Sequence, residues 1–116
     1  MSDLLTHEEY SAIANSLNFP TNAFINGQFQ SSKSGKTFET INPATGKVIA
    51  QVAACNADDV DHAVIKAREA FDQGHCSKLH PSERKKALIK LSKLIKRNLN
   101  ELAVMESVDS GKPVRD

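Results

Sequence analysis

The sequence has no tryptophan, one tyrosine and five phenylalanines among its 116 residues. Any core that it builds must therefore be aliphatic. It has two cysteines, Cys55 and Cys76, which is too few for a disulfide framework, so we expect reduced thiols and a cytoplasmic protein. The net charge of +1 gives no strong field to attract nucleic acid or an anionic membrane, and we expect neither as a partner.

Two kinds of segment are also missing. No apolar run approaches the length of a membrane span, and the N-terminus carries acidic residues where a secretory signal has basic ones. Strand and helix patterns do not alternate as they do in a parallel sheet. With 40% hydrophobic and 25% charged residues, the chain has the composition of a globular protein, and its patterns indicate either a small α+β domain or the front of something larger.

Apolar residues at helical spacing predict three helices. The first covers residues 7–17, where Thr6 and Glu9 form a capping-box pattern. The second begins after Asn56, a good N-cap, and ends at Gly74. The third is predicted as one long amphipathic helix over residues 81–108, with an apolar stripe opposite a basic face; the stripe is Leu88, Leu91, Ile95, Leu99 and Leu102.

Four short strands are predicted between the first and second helices. Asn26-Gly27 separates two short runs and is the strongest local signal for a hairpin, because both turn positions need a positive φ. Residues 37–41 and 48–53 form a second pair around the turn at residues 42–46. The predicted order is therefore helix, hairpin, hairpin, helix and long helix.

Several motifs have a chemical reading beside a simpler one. Residues 34–37 (SGKT) resemble the end of a phosphate-binding loop, but Gln30 stands where the pattern needs glycine and a strand follows. A group of histidines and cysteines matches no zinc spacing, so a loop with incidental polar residues is preferred; its members are His62, His75, Cys76, His80 and Cys55. Cys76 as a nucleophile lacks a recognisable activating motif. The basic face of the long helix is read as solvated.

Three charged residues fall on or beside the apolar stripe of the long helix: Arg84, Glu106 and Asp109. A charge in that position is costly unless it is paired. Acids near a helix C-terminus also oppose the helix dipole unless donors or a cation compensate. Two readings remain: ion pairing with neighbouring elements, or a cation held by Asp109.

Five segments follow one another in the order FINGQF, FETINPATGKVIAQV, DVDHAVIKAREAFD, PSERKKALIKLSKLI and ELAVMESVDSGKPV. This series resembles the N-terminal part of the NAD(P)-dependent aldehyde dehydrogenases, and is most similar to the bacterial branch that oxidises γ-glutamyl-γ-aminobutyraldehyde. The resemblance implies an oxidoreductase in which a thiolate attacks the aldehyde, hydride passes to NAD or NADP, and a Glu-activated water releases the carboxylic acid. It also implies a cytoplasmic homodimer or homotetramer.

The resemblance assigns residues 1–20 to an N-terminal extension with a short helix, and residues 21–116 to the first part of the Rossmann-like cofactor domain. It thus implies the α/β class, with two hairpins, two helices and an incomplete parallel sheet. It places no catalytic and no cofactor-binding residue in this chain. Many family members bind a monovalent cation, K⁺ or Na⁺, inside the subunit. The corresponding positions here are Thr40, Ile41 and Asp109, which supply carbonyl or carboxylate oxygens of the kind that hard cations prefer.

We therefore expect a truncated aldehyde dehydrogenase segment that is inactive alone, with two apolar helix stripes that face a missing sheet. The missing part would bind the aldehyde, with an aminoaldehyde as the candidate substrate. An alternative is a small helical interaction module that uses the helix at residues 81–108 as its docking surface. A metal-binding regulator built on Cys76 and the nearby histidines is a third reading.

Overall fold

The computed structural model describes residues 4–116. It is an α/β chain with four helices and two separate two-stranded antiparallel sheets. The elements are α1 (His7–Ser16), β1 (Ala23–Ile25), β2 (Gln28–Gln30), β3 (Thr37–Ile41), β4 (Val48–Ala53), α2 (Ala57–Gln73), α3 (Pro81–Arg97) and α4 (Leu99–Ser110).

The helix ends follow the predicted capping chemistry. Thr6 accepts from the Glu9 N–H, and the Glu9 carboxylate accepts from the Thr6 N–H, so the predicted capping box at α1 is confirmed. Asn56 caps α2, as predicted. Gly74 ends α2 in the left-handed region at φ 80°, a conformation that glycine adopts without steric cost.

Both predicted hairpins are confirmed. Asn26 and Gly27 have φ angles of 55° and 74°, which is the two-residue turn that suits the twist of paired strands. In the second hairpin Thr37 faces Ala53 and Thr40 faces Ala50, but Ile41 faces Val48. Ile49 is therefore an extra residue on β4, which disturbs the ladder beside Thr40 and Ile41.

The single long helix predicted for residues 81–108 is wrong, because Asn98 divides it into α3 and α4. Three helices, not two, thus follow the hairpins. The backbone of Asn98 departs from helical geometry at φ −106° and ψ 20°, and its side-chain amide donates to the Leu94 carbonyl at 2.8 Å. Asparagine competes in this way for helix carbonyls, which explains why an unbroken apolar stripe does not give an unbroken helix.

Very little of the apolar surface is buried. Helix α1 packs against α4, and Val104 of α4 is the one hydrophobic residue among residues 4–116 that is almost fully buried, at 2% exposure. The accessible surface is 9094 Å², whereas a folded protein of this mass exposes about 6,200 Å². The radius of gyration is 17.8 Å, against about 13 Å for a compact domain of this length.

The exposed apolar residues form two continuous faces. One, the α2 face, contains Val60, Val64 and Phe71. The other, the α3–α4 face, contains Leu88, Leu91, Ile95, Leu99 and Leu102, of which Leu88 is 67% exposed. Contiguous apolar patches of this kind mark surfaces that normally pack against another structure. Within residues 4–116, none of the helices combines the length and the apolar character needed to cross a membrane.

Candidate functional site

The structure brings two of the three predicted cation-site residues together. The Thr40 hydroxyl Oγ1 donates to the Asp109 carboxylate Oδ1 at 2.8 Å, although the two residues are 69 positions apart in sequence. Thr40 lies near the end of β3, and Asp109 lies in the last turn of α4. This bond is the only hydrogen bond between the second hairpin and α4 in the described part of the chain.

Ile41, the third predicted residue, follows Thr40 directly, and its side chain is 50% exposed. Because the Ile41 side chain is a hydrocarbon, only its main-chain carbonyl has the chemistry of a cation ligand, which agrees with what the family resemblance implies. That carbonyl lies beside the irregularity in the β3–β4 ladder, where regular strand pairing is disturbed. The Asp109 Oδ2 atom accepts no hydrogen bond within residues 4–116 and is available for a ligand.

A cleft of about 480 Å³ opens beside this pair, between the second hairpin and α4. Three polar residues line it, Thr40, Glu106 and Asp109, and the remaining lining is apolar: Phe19, Pro20, Phe38, Ala50, Val52, Leu102 and Met105. Sequence reasoning missed Phe19 and Pro20. The sequence signal that could have identified them is an aromatic residue followed by proline, shortly after the end of a capped helix.

Two carboxylates line the cleft, those of Glu106 and Asp109. Glu106 and Asp109 lie in the last two turns of α4, and its last turn has no basic residue. The partial negative charge at a helix C-terminus adds to that of the two carboxylates, so the local field favours a cation. The sequence left ion pairing as the other interpretation of these charges. Within residues 4–116, neither of the two acids forms an ion pair, and nor does Arg84.

The cluster of histidines and cysteines has separate structural roles. The His80 Nδ1 accepts from the Ser82 N–H at 3.2 Å and thus caps α3. The His75 ring contacts the Gln73 side chain at 2.7 Å. Cys55 and Cys76 are both free and exposed. Among the described residues, no three His, Cys, Asp or Glu side chains come together in a group suited to a metal ion.

Residues 34–37 lead directly into β3 and not into a helix. A phosphate-binding loop needs the positive end of a helix immediately after it, so this segment does not fit a nucleotide. Ser32 instead stabilises the turn at residues 32–36. It is 5% exposed, and its Oγ donates to the Lys36 carbonyl at 2.8 Å.

Asp59 is the buried carboxylate of the described residues, at 5% exposure. Its Oδ2 accepts from the Asn56 N–H and its Oδ1 from the Lys33 N–H, both at 2.9 Å. The Asn56 hydrogen bond, followed by that of Lys33, lowers the pKa of the Asp59 carboxyl below its ordinary value of 3.8. Asp59 therefore joins the polar link after β2 to the start of α2, a contact that the sequence did not reveal.

The lowered pKa predicts an acid-sensitive contribution to stability. The ionised form of Asp59 stabilises the fold at pH values above 3.8, the ordinary pKa of the group. This contribution is lost as the pH falls through the lower pKa of the folded state. We expect Asp59→Asn to lower the melting temperature at neutral pH, and we expect the difference from the wild type to shrink on acidification. Thermal unfolding followed by circular dichroism over a pH series measures this. Asp58→Asn is the control, and a pH-independent difference for Asp59→Asn would contradict the prediction.

The chain was compared with known sequences and structures. The sequence profile of the Aldehyde dehydrogenase family matches residues 29–116. The aminoacetaldehyde dehydrogenase of Pseudomonas aeruginosa is 54% identical over 116 residues, which cover 100% of this chain and 23% of that protein. The matches thus span between 10% and 23% of the length of the curated relatives.

Two solved structures share this arrangement of elements. A P. syringae indole-3-acetaldehyde dehydrogenase mutant, in complex with NAD⁺ and IAA, matches 97% of this chain and 23% of its own with a TM-score of 0.94 at 41% identity. A gamma-glutamyl-gamma-aminobutyraldehyde dehydrogenase from Burkholderia cenocepacia matches 95% of this chain and 22% of its own with a TM-score of 0.92 at 39% identity. The elements seen here therefore correspond to one part of a larger fold, and the chain belongs to the aldehyde dehydrogenase family.

Proposed function

We propose that this chain is the N-terminal segment of an enzyme that oxidises an aldehyde to a carboxylic acid with NAD or NADP. The substrate class that we propose is an aminoaldehyde. The support is the 54% identity to the aminoacetaldehyde dehydrogenase over the whole chain, together with the likeness to the gamma-glutamyl-gamma-aminobutyraldehyde dehydrogenase. Both names describe aldehydes that carry a nitrogen-containing group.

The chain contributes scaffold in this proposal, and the reacting groups come from elsewhere in the enzyme. Neither Cys55 nor Cys76 is hydrogen-bonded to a base within residues 4–116, so neither has the partner that activates a nucleophilic thiol. Residues 34–37 lead into a strand and not into a helix, so they do not fit a dinucleotide. No step of the oxidation is therefore assigned to a residue of this chain.

The observation that carries the proposal is the pair of uncovered apolar faces on α2 and α3–α4. Their side chains are largely exposed, and a contiguous apolar surface of this kind normally packs against another structure. The cofactor domain of the enzyme is the partner that the family resemblance supplies. The comparisons give no support to the alternative of a small interaction module.

Turnover tests this proposal directly. We expect the 116-residue chain to give no reduction of NAD⁺ or NADP⁺ with aminoacetaldehyde. We expect activity when it is mixed with a complementing polypeptide, namely the P. aeruginosa relative without the 23% that this chain matches. The complementing polypeptide alone is the control. Turnover by the isolated chain, or none in the mixture despite binding, would contradict the proposed role.

We also propose that Thr40, Ile41 and Asp109 supply part of a K⁺ or Na⁺ site, with the remaining ligands outside this chain. The support is the hydrogen bond between Thr40 and Asp109 at the negative end of α4, with Ile41 next to Thr40 in sequence. Such an ion would act by fixing the hairpin to α4 through shared ligands. No catalytic step is assigned to it.

Salt dependence checks the proposed cation site. In the mixture with the complementing polypeptide, KCl or NaCl should raise the melting temperature more than tetramethylammonium chloride of equal ionic strength. The stabilisation is about 1.4 kcal/mol when the ion is at ten times its Kd. Asp109→Asn should remove this ion-specific part, whereas Asp61→Asn, an exposed substitution on α2, should retain it. Equal effects of all the salts on the wild type would refute the site.

The proposed cellular state is a homo-oligomer in the cytoplasm. The two exposed free thiols suit a reducing compartment, and the oligomer rests on the family resemblance. Light scattering of the assembled mixture gives the subunit number.

A further inference from the structure

The N-terminal segment is attached at two places to two different elements. At one end, α1 packs against α4. At the other end, the Thr21 carbonyl accepts from the Ala53 N–H at 2.8 Å, at the last residue of β4. The segment therefore spans the gap between α4 and the second hairpin, which is the gap that contains the Thr40–Asp109 hydrogen bond.

The middle of the same segment forms one wall of the cleft. Phe19 is half-buried and lines the cleft together with Thr40 and Asp109. Phe38, Val52 and Met105 also line it, so Phe19 shares an apolar environment with residues of both the hairpin and α4. An aromatic ring in this position holds two surfaces together through buried apolar area.

Few other interactions hold the hairpin to α4. The Thr40–Asp109 bond is exposed, and an exposed hydrogen bond competes with water and does not fix geometry by itself. The other close approach is between Gly111 and the Pro43 ring, where a Cβ on Gly111 would lie 3.0 Å from Pro43 Cγ. The alignment of Thr40 with Asp109 must therefore depend on packing from outside the two elements.

We infer that residues 17–21 are a clasp that positions Thr40 against Asp109, with Phe19 as the positioning residue. The clasp lies outside residues 29–116, the part by which the family is recognised. The inference does not rest on aldehyde oxidation or on cation binding. It states that a segment before the family-defining part sets the geometry of the hairpin–α4 junction.

Amide hydrogen exchange of the ¹⁵N-labelled 116-residue chain, bound to the unlabelled complementing polypeptide, tests the clasp without aldehyde, nucleotide or metal salt. Phe19→Ala should raise exchange several-fold at the Ala53 amide and at residues 107–111, while amides of β1, β2 and the middle of α2 change little. Phe19→Leu should keep most of the protection, because it retains an apolar side chain. Phe24→Ala, on the exposed first hairpin, is the matched control and should leave residues 107–111 unchanged.

A double variant separates positioning from general stabilisation. Thr40→Val alone should raise exchange at residues 107–111, and it should add little in the Phe19→Ala background, because the bond is already loosened there. A uniform rise over the whole chain, an unchanged Ala53 amide, or strictly multiplicative effects of the two substitutions would overturn the inference. If Phe19→Ala does not fold, the same comparison of single and double variants is made with Phe19→Leu and Thr40→Val. Strictly multiplicative effects on exchange would again overturn the inference. A failed turnover assay would leave these exchange results as they are, so the two proposals fail separately.

Discussion

Replacing Leu88 by glutamate should leave the helix content of the isolated chain unchanged but prevent the chain from restoring activity to the complementing polypeptide. Leu88 is the most exposed residue of the α3–α4 face, at 67%, so its loss removes almost no packing from the chain itself. If that face packs on the cofactor domain, the same change removes about 1.5–3 kcal/mol of apolar burial. It also places a carboxylate in an apolar interface, which adds a desolvation cost.

The expected weakening of association from lost burial alone is about tenfold to a hundredfold. Titration of the complementing polypeptide with the variant chain, read as recovered turnover, measures it. Circular dichroism of the isolated variant checks that the helices persist. Lys90→Glu puts the same carboxylate on the opposite side of α3 and should assemble normally. If Leu88→Glu and Lys90→Glu assemble equally well, the α3–α4 face is not the docking surface.

Replacing Gly74 by alanine should cause the largest loss of stability of any glycine-to-alanine substitution in the described chain. Gly74 has φ 80°, and the added Cβ would lie 2.8 Å from Lys78 Cβ, with the rest of that side chain closer still. The left-handed conformation costs alanine about 1–2 kcal/mol. The clash adds to this, so we expect a total of about 3 kcal/mol.

Gly46→Ala isolates the conformational part of this effect. Gly46 has φ 69°, but a Cβ there meets nothing within 4 Å. We therefore expect only the cost of the left-handed conformation, about 1–2 kcal/mol. Urea denaturation of the two variants gives both values. Equal losses would show that Lys78 moves aside freely and that the turn after α2 is not closely packed.

In the turn after α2, the structure shows hydrogen bonds that the sequence pattern did not predict. Gly74 was identifiable as a helix stop from sequence alone. The structure adds that the Ser77 hydroxyl donates to the Phe71 carbonyl at 2.7 Å, and that Lys78 Nζ donates to the Asp72 carbonyl at 3.0 Å. These bonds satisfy carbonyls at the end of α2 that have no partner within the helix.

Local chemistry was readable from the sequence by itself. The capping box at Thr6, the Asn26-Gly27 turn and the Asn56 cap each involve residues within a few positions of one another. Their geometry is set by the chain's own backbone, so no distant contact is needed to predict them. The same holds for the four strands, whose bounds were predicted from turn residues and alternation.

Only the tertiary structure decided the features that join distant segments. It placed Asp59 under the Lys33 amide, and it brought Phe19, Thr40 and Asp109 to one cleft. Apolar periodicity reports which side of a helix avoids water but not which surface covers it, because burial is non-directional. The sequence thus determined that α2 and α3 have apolar faces, and the folded chain decided that nothing within residues 4–116 covers them.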